Sequence, residues 1–236
     1  MRFIKLTLLS VLAFPIAAVA GEKEDALLKA MKEKYPATQV VTVNPSPIAG
    51  LYEVVMGKNI AYTDDAARFI VFGHVFDMQT QQDLTADRLA QLTKIDWASL
   101  PLANAIKTVK GNGKRTLAVF SDPDCPYCKS LETSLEKLDN VTIYTFLFPL
   151  TSLHPQSEAK AIDIWCSKNP SAAWRHWMVK AEAPKASKAD CANPIKENVA
   201  LGQSLGIVGT PTLIAPDGST KPGAAPIEQI EAWLGK

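Results

Sequence analysis

Everything else in this chain has to accommodate two cysteines separated by two residues, in the run Phe120-Ser121-Asp122-Pro123-Asp124-Cys125-Pro126-Tyr127-Cys128-Lys129. A short β-rich segment, 116–120, precedes the pair, and a helical pattern over 125–138 follows it. A strand that passes into a helix at this point puts the first sulfur at the helix N-terminus. Unpaired backbone N–H groups and the positive end of the helix dipole stabilise a thiolate there. Cys125 is therefore the expected nucleophile. Cys128, one turn further on, is placed to attack a mixed disulfide formed at Cys125 and release its partner, as the resolving thiol. Pro126 suits the first helical turn because its missing N–H would have no partner there. Asp122 and Asp124 oppose thiolate formation if they point toward the sulfur, and the sequence leaves their direction open. A zinc knuckle would need two further ligands at matching spacing. Cys166 and Cys191 are 25 residues apart with no partner histidine at a matching spacing, so no metal is expected. A purely structural bridge between Cys125 and Cys128 would close too small a ring to contribute much stability through chain entropy.

The remaining composition is that of a globular protein. The 236 residues include 25 Lys+Arg and 24 Asp+Glu, with 47% hydrophobic residues, which disfavours both gross disorder and a nucleic-acid-coating role. The first twenty residues read as a secretory signal peptide. Arg2 and Lys5 form a basic start, 6–18 is apolar apart from Thr7 and Ser10, and Ala18-Val19-Ala20 offers small residues for cleavage after Ala20. An apolar run of this length, with Pro15 inside it, falls short of the roughly 20 residues needed to span a bilayer. Removing the segment leaves 23 basic against 24 acidic side chains. The mature chain is expected to be soluble in an oxidising compartment.

Along that chain, Ala26, Leu27, Ala30 and Met31 share one face of a predicted helix over 22–34, which Pro36 ends. Segments 39–43, 51–56, 60–63 and 68–76 are rich in Val, Ile, Tyr and Phe and read as antiparallel strands, separated by turn-forming residues. A helix and a few strands in about sixty residues make a marginal core, so a strand edge or apolar face here is expected to be covered by a second subunit. Thr85 is placed to cap a connecting helix carrying Leu89, Leu92 and Ile95, and 105–110 leads to the turn Gly111-Asn112-Gly113. Beyond it, strands are predicted over 116–120, 141–148 and 212–215, and helices over 125–138, 157–166, 173–179, 195–205 and 227–234. That alternation predicts an α/β domain with an inserted helical segment.

Far downstream, Val208-Gly209-Thr210-Pro211-Thr212 enters the last predicted strand. With the cysteine pair, it resembles the thioredoxin superfamily, in which the CxxC is faced by a cis-proline loop. By that resemblance the Thr210–Pro211 bond is cis, and Thr210 offers backbone groups to an extended substrate segment. A proline entering a strand would by itself mean only an edge or a turn, and most X-Pro bonds are trans. The resemblance narrows to the DsbC and DsbG family of periplasmic thiol:disulfide isomerases. It runs through Pro45-Ser46-Pro47-Ile48-Ala49-Gly50-Leu51-Tyr52, Tyr62-Thr63-Asp64-Asp65, Cys125-Pro126-Tyr127-Cys128-Lys129 and His154-Pro155-Gln156-Ser157. It continues in Ile164-Trp165-Cys166, Ala200-Leu201-Gly202 and Leu205-Gly206-Ile207-Val208-Gly209-Thr210-Pro211.

The family implies an α+β dimerisation domain over 21–82, a linker helix region over 83–110, and a thioredoxin-like α/β catalytic domain with a helical insertion over 111–236. It further implies a cofactor-free homodimer whose two cysteine sites face an uncharged cleft that binds misfolded or unfolded secreted proteins, with chaperone activity beside isomerisation. A membrane thiol reductase of the DsbD type would keep the site reduced. Cys166 and Cys191 fit the second, structural disulfide of DsbC-like proteins. Such a loop contributes roughly 3 kcal/mol in the chain-entropy model. One departure bears on function. The isomerase branch more typically carries Gly-Tyr between its cysteines, whereas Pro126-Tyr127 matches the DsbG branch, whose role includes reducing sulfenic acids.

A DsbA-like net oxidase is a weaker reading, because Tyr127 stands where such oxidases carry a histidine and they have no counterpart of the N-terminal module. A non-enzymatic holdase would use the apolar face around Phe69, Val71, Phe72 and Phe76. His74, His154 and His176 have no motif partner and are read as surface or capping residues, since disulfide exchange needs a thiolate more than a general base. Trp165, Trp174 and Trp177 are read as packing, and Lys129 as part of a solvated face.

Overall fold

The computed structural model describes residues 20–185 and 191–235. The expected leader, 1–20, therefore lies outside the described residues except for the backbone of Ala20, where the first helix begins. The chain divides into two units after Leu92. Among the described residues no helix is long and apolar enough to cross a membrane.

In the first unit, α1 (Ala20–Lys34) precedes an antiparallel sheet of β1 (Val40–Pro45), β2 (Leu51–Met56), β3 (Asn59–Asp64) and β4 (Ile70–Val71), in that spatial order. Leu27 and Met31, one helical turn apart, pack with Val40, Val43, Val54 and Ala67 to form the small core. The β2–β3 hairpin closes in two residues because Gly57, at φ +59°, supplies the left-handed backbone that so tight a turn demands. The expected strand over 68–76 is broken. Asp64 accepts the backbone N–H groups of Arg68 and Phe69, and only Ile70 and Val71 pair with β3. Further on, β5 (Phe76–Asp77) pairs instead with β6 (Gln82–Asp83).

The helix α2 (Leu84–Leu92) is capped by Asp83, whose carboxylate accepts the Ala86 N–H at 2.9 Å. Thr85, the expected cap, is buried inside the helix, with its hydroxyl against those of Tyr62 and the Val75 N–H. The helix stops short of Ile95, which is buried in the second unit and donates its N–H to the Gly218 carbonyl.

The second unit opens with two 3-10 turns, Trp97–Ser99 and Leu102–Asn104. Its sheet is built from β7 (Ile106–Lys110), β8 (Arg115–Ser121), β9 (Val141–Leu147), β10 (Thr212–Ile214) and β11 (Thr220–Pro222), in the order β11-β10-β8-β9-β7. Thus 106–110, read from sequence as the approach to a turn, is an edge strand of this sheet. Only β8 and β9 run parallel. The helices are α3 (Pro126–Leu135), α4 (Ser157–Trp165), α5 (Pro170–Lys180), α6 (Ile195–Ser204) and α7 (Ile227–Leu234).

Central β8 is covered on both faces, which is why its sequence is a continuous apolar run instead of an alternating one. Its Leu117 and Val119 pack with Leu131 and Leu135 of α3 and Ile230 of α7. Ala118 and Phe120, on the opposite face, pack with Phe146, Phe148 and Ile214, and α6 adds Val199 and Leu201. Phe120 stacks on Phe146 at 4.8 Å, and Phe148 meets it edge-on at 5.8 Å. A third cluster joins Cys125 and Cys128 to Ala161, Ile164, Trp174 and Met178, so α4 and α5 form a helical lobe against the cysteine pair.

Candidate active site

Cys125 occupies the N-cap of α3, with extended backbone, and Pro126 takes the first helical position. The Cys125 carbonyl accepts the first helical bond, from Lys129 N at 3.2 Å, so the sulfur stands where the unpaired N–H groups of the helix start converge. The three residues between β8 and the cap are held on all sides. Asp122 is fully buried, and its carboxylate accepts the N–H of Asp124 at 2.7 Å, the N–H of Leu150 at 2.7 Å and Nδ1 of His154 at 3.0 Å. Asp124 forms an ion pair with Lys160. The Trp177 indole donates to the Pro123 carbonyl at 2.6 Å, and the Lys129 and Lys160 ammonium groups lie 4.4 Å and 4.2 Å from the centre of its ring. Both acids are therefore committed to the loop and its supports, and neither carboxylate bonds to a sulfur.

His154 thus has a partner that its sequence context did not reveal, 32 residues away. His74 and His176 pair at the surface, with Asp83 at 2.7 Å and Glu182 at 3.1 Å. Trp174 belongs to the core, whereas Trp177 packs and also braces the cysteine loop. Lys129 is less a solvated residue than a partner of that indole.

Across from α3, the Thr210–Pro211 peptide bond is cis, and the Cys125 thiol lies 3.4 Å from the Thr210 carbonyl. The two sulfurs lie in one buried cluster, with Cys125 the nearer to the surface. Both are reduced. Cys125 keeps a small exposed surface and is followed, two residues on, by strongly exposed Tyr127; Val208, before the proline loop, is also strongly exposed. Cys128 is fully buried and receives the Asp122 N–H at 3.4 Å. Burial pushes its thiol up to about 12, against the lowering effect of Ser121, the Asp122 N–H and Thr210. Cys166 and Cys191 form a disulfide that joins the end of α4 to the segment before α6. A sulfur at a helix start, 5% exposed, beside a second thiol that is fully buried is an arrangement suited to stepwise thiol–disulfide exchange.

Comparison with known proteins agrees over nearly the whole chain. Residues 18–86 match the disulfide bond isomerase protein N-terminal domain, and 102–236 match a thioredoxin-like domain. The probable thiol:disulfide interchange protein DsbC of Bordetella parapertussis is 39% identical over 218 residues, covering 92% of this chain and 76% of that protein. The thiol:disulfide interchange protein DsbC of Escherichia coli K12 is 26% identical over 196 residues, covering 81% of this chain and 80% of that protein. A crystal structure of a disulfide interchange protein from Neisseria gonorrhoeae shares 46% identity with a TM-score of 0.55, covering 57% of this chain and 96% of that one. With a thioredoxin-like α/β domain carrying the cysteine pair and an isomerase-type domain before it, the chain belongs to the DsbC family of thiol:disulfide interchange enzymes.

Proposed function

We propose that this protein rearranges wrong disulfides in secreted proteins, with Cys125 as nucleophile and Cys128 as resolving thiol. The observation that carries the reading is the placement of the Cys125 sulfur, at the start of α3 and 3.4 Å from the Thr210 carbonyl of the cis-proline loop. An extended substrate segment pairing with the Thr210 backbone would bring its own disulfide against that sulfur. The Cys125 thiolate attacks one sulfur of the substrate disulfide and releases the other. The adduct is then rearranged by a second substrate thiol or resolved by Cys128. Pro126 and Tyr127 line the entrance, Pro211 shapes the opposing loop, and the Cys166–Cys191 bridge holds the helical lobe.

The remaining parts of the reading concern assembly. Residues 21–82 act as a dimerisation domain, 83–110 as a linker and 111–236 as the catalytic domain of a homodimer. Support comes from the edge strand β4, where Phe69, Ile70, Val71 and Phe72 are exposed in a row. The protein works in the periplasm after cleavage behind Ala20, binds misfolded or unfolded secreted chains in a chaperone-like manner, and is kept reduced by a membrane thiol reductase of the DsbD type.

The test is recovery of activity from scrambled ribonuclease in a glutathione buffer, comparing the mature protein with Cys125→Ala and Cys128→Ala. Recovery that requires Cys125 supports the isomerase. If recovery fails while reduced substrate is rapidly oxidised, the protein is a DsbA-like oxidase. If it fails while a sulfenylated substrate is reduced, the Pro126-Tyr127 dipeptide marks a DsbG-like reductase. Sedimentation as a monomer at micromolar concentration would remove the dimeric cleft.

A further inference from the structure

Two hydroxyls in the active site lack hydrogen-bond partners. Ser121 Oγ, at the end of β8, and Thr210 Oγ1, before Pro211, are buried and unpaired. A buried hydroxyl left unpaired costs about 1–3 kcal/mol. Ser121 precedes Asp122, whose N–H lies 3.4 Å from Cys128 Sγ, and Thr210 carries the carbonyl that lies 3.4 Å from Cys125 Sγ, so both hydroxyls border the cysteine pair, and each favours the charged form of Cys128. One donor already on a fully buried sulfur is thus bordered by two uncommitted hydroxyls from distant segments, the end of β8 and the cis-proline loop. For a neutral thiol this arrangement has little use, because S–H is a weak donor and sulfur a weak acceptor. For a thiolate it supplies fixed donors where negative charge develops, in a site from which water is excluded.

We propose that Ser121 and Thr210 are catalytic residues of the resolving step, their hydroxyls and the Asp122 N–H forming an anion hole for the Cys128 thiolate. The inference rests on the reading of Cys128 as the resolving thiol. In that step Cys128 gives up its proton, and its thiolate attacks Cys125 Sγ in the mixed disulfide. The Cys125–Cys128 bond forms as the Cys125–substrate bond breaks. The substrate sulfur leaves with the electron pair and takes up a proton, so the enzyme loses two electrons and the substrate gains two. Attack by Cys125 on a substrate disulfide places charge on the substrate's leaving sulfur instead, and rearrangement by a substrate thiol never ionises Cys128. The hole therefore sets how often an adduct ends in reduction and not in rearrangement.

The experiment follows the reduced full-length mature chain mixed with a labelled peptide disulfide, with acid quenching to separate adduct formation from resolution across a range of pH. Ser121→Ala and Thr210→Val should each slow resolution about ten- to a hundredfold, the range expected for losing one hydrogen bond to a charged group. Each should also move the pH dependence of resolution upward, slow resolution several times more than adduct formation and let more adduct partition into rearrangement. Ser121→Thr, which keeps the hydroxyl, should restore the rate. If Cys128→Ala still resolves the adduct, the assignment of Cys128 itself is wrong. If Cys128→Ala traps the adduct but both hydroxyl variants resolve it at the wild-type rate and pH, the anion hole is refuted. Equal slowing of both phases would also refute it, by assigning the hydroxyls to the fold alone. Should Ser121→Ala fail to fold, Thr210→Val decides, since it removes only the hydroxyl and keeps the shape.

Discussion

Glu132 lies one helical turn beyond Cys128, and its carboxyl accepts the Trp174 indole N–H at 2.9 Å. Burial pushes its pKa up from the ordinary 4.5 to about 7. The Trp174 N–H and the Lys110 ammonium act against the shift, and the neighbouring Glu136 carboxylate acts with it. The folded state thus holds the proton more tightly than the unfolded chain. Below about pH 4.5 both states are neutral at this position and no penalty exists. The penalty grows as pH rises from there through about 7 and is constant above. The full interval corresponds to roughly 3 kcal/mol. Glu132 keeps some solvent access, and screening reduces the expectation to about 1–2 kcal/mol. Glu132→Gln keeps an acceptor for Trp174 and removes the charge. The two proteins should be equally stable near pH 4, and the variant more stable by about 1–2 kcal/mol near pH 8. Urea unfolding followed by tryptophan fluorescence reads the right unit, because all five tryptophans lie beyond residue 92. A stability difference that does not change between the two pH values, or a wild type that gains with rising pH, would refute the assignment.

Three further perturbations test the scaffold around the cysteines. Replacing Cys166 and Cys191 by Ser opens a loop with a sequence separation of 25 residues, which should cost about 3.5 kcal/mol in the chain-entropy model, measured by the same urea unfolding. A Cβ on Gly202 would stand 2.5 Å from Phe148 Cε2, so Gly202→Ala should push α6 off the sheet and cost about 1–3 kcal/mol, read from the thermal midpoint. Asp122→Asn leaves the Leu150 N–H or the Asp124 N–H facing a donor. It should cost about 1–3 kcal/mol and slow adduct formation at Cys125; unchanged kinetics would mean the loop holds its shape without that carboxylate.

Local patterns carried most of the secondary structure of the second unit. The apolar run at β8, the helical spacing after Cys125 and the turn residues Gly111-Asn112-Gly113 are short-range signals, and the elements formed close to where they pointed. The first unit was less legible. Segment 68–76 has strand composition throughout, yet Asp64 captures two of its backbone N–H groups and leaves only a two-residue strand. Thr85 looked like a cap by residue type, but Asp83, two positions earlier, does that work while Thr85 serves Tyr62 and Val75. Strand β7 escaped notice because an edge strand with alternating exposure carries little apolar signal.

The sequence by itself determined the chemistry. Two thiols one helical turn apart, beginning at a strand-to-helix junction, have the local geometry expected of a redox pair, and no distant residue is needed to read that expectation from the chain. Which groups surround those thiols was decided by the tertiary fold. Leu150 and His154 reach Asp122 across 28 and 32 residues, and the Thr210 carbonyl meets Cys125 across 85. The unpaired buried hydroxyls of Ser121 and Thr210 border the cysteine pair for the same long-range reason. The cis-proline and the Cys166–Cys191 pairing were legible only through family resemblance. Hydrogen bonds between segments so far apart leave no periodicity in the chain, because they depend on how β8, β10 and the loops at their ends are brought together by packing.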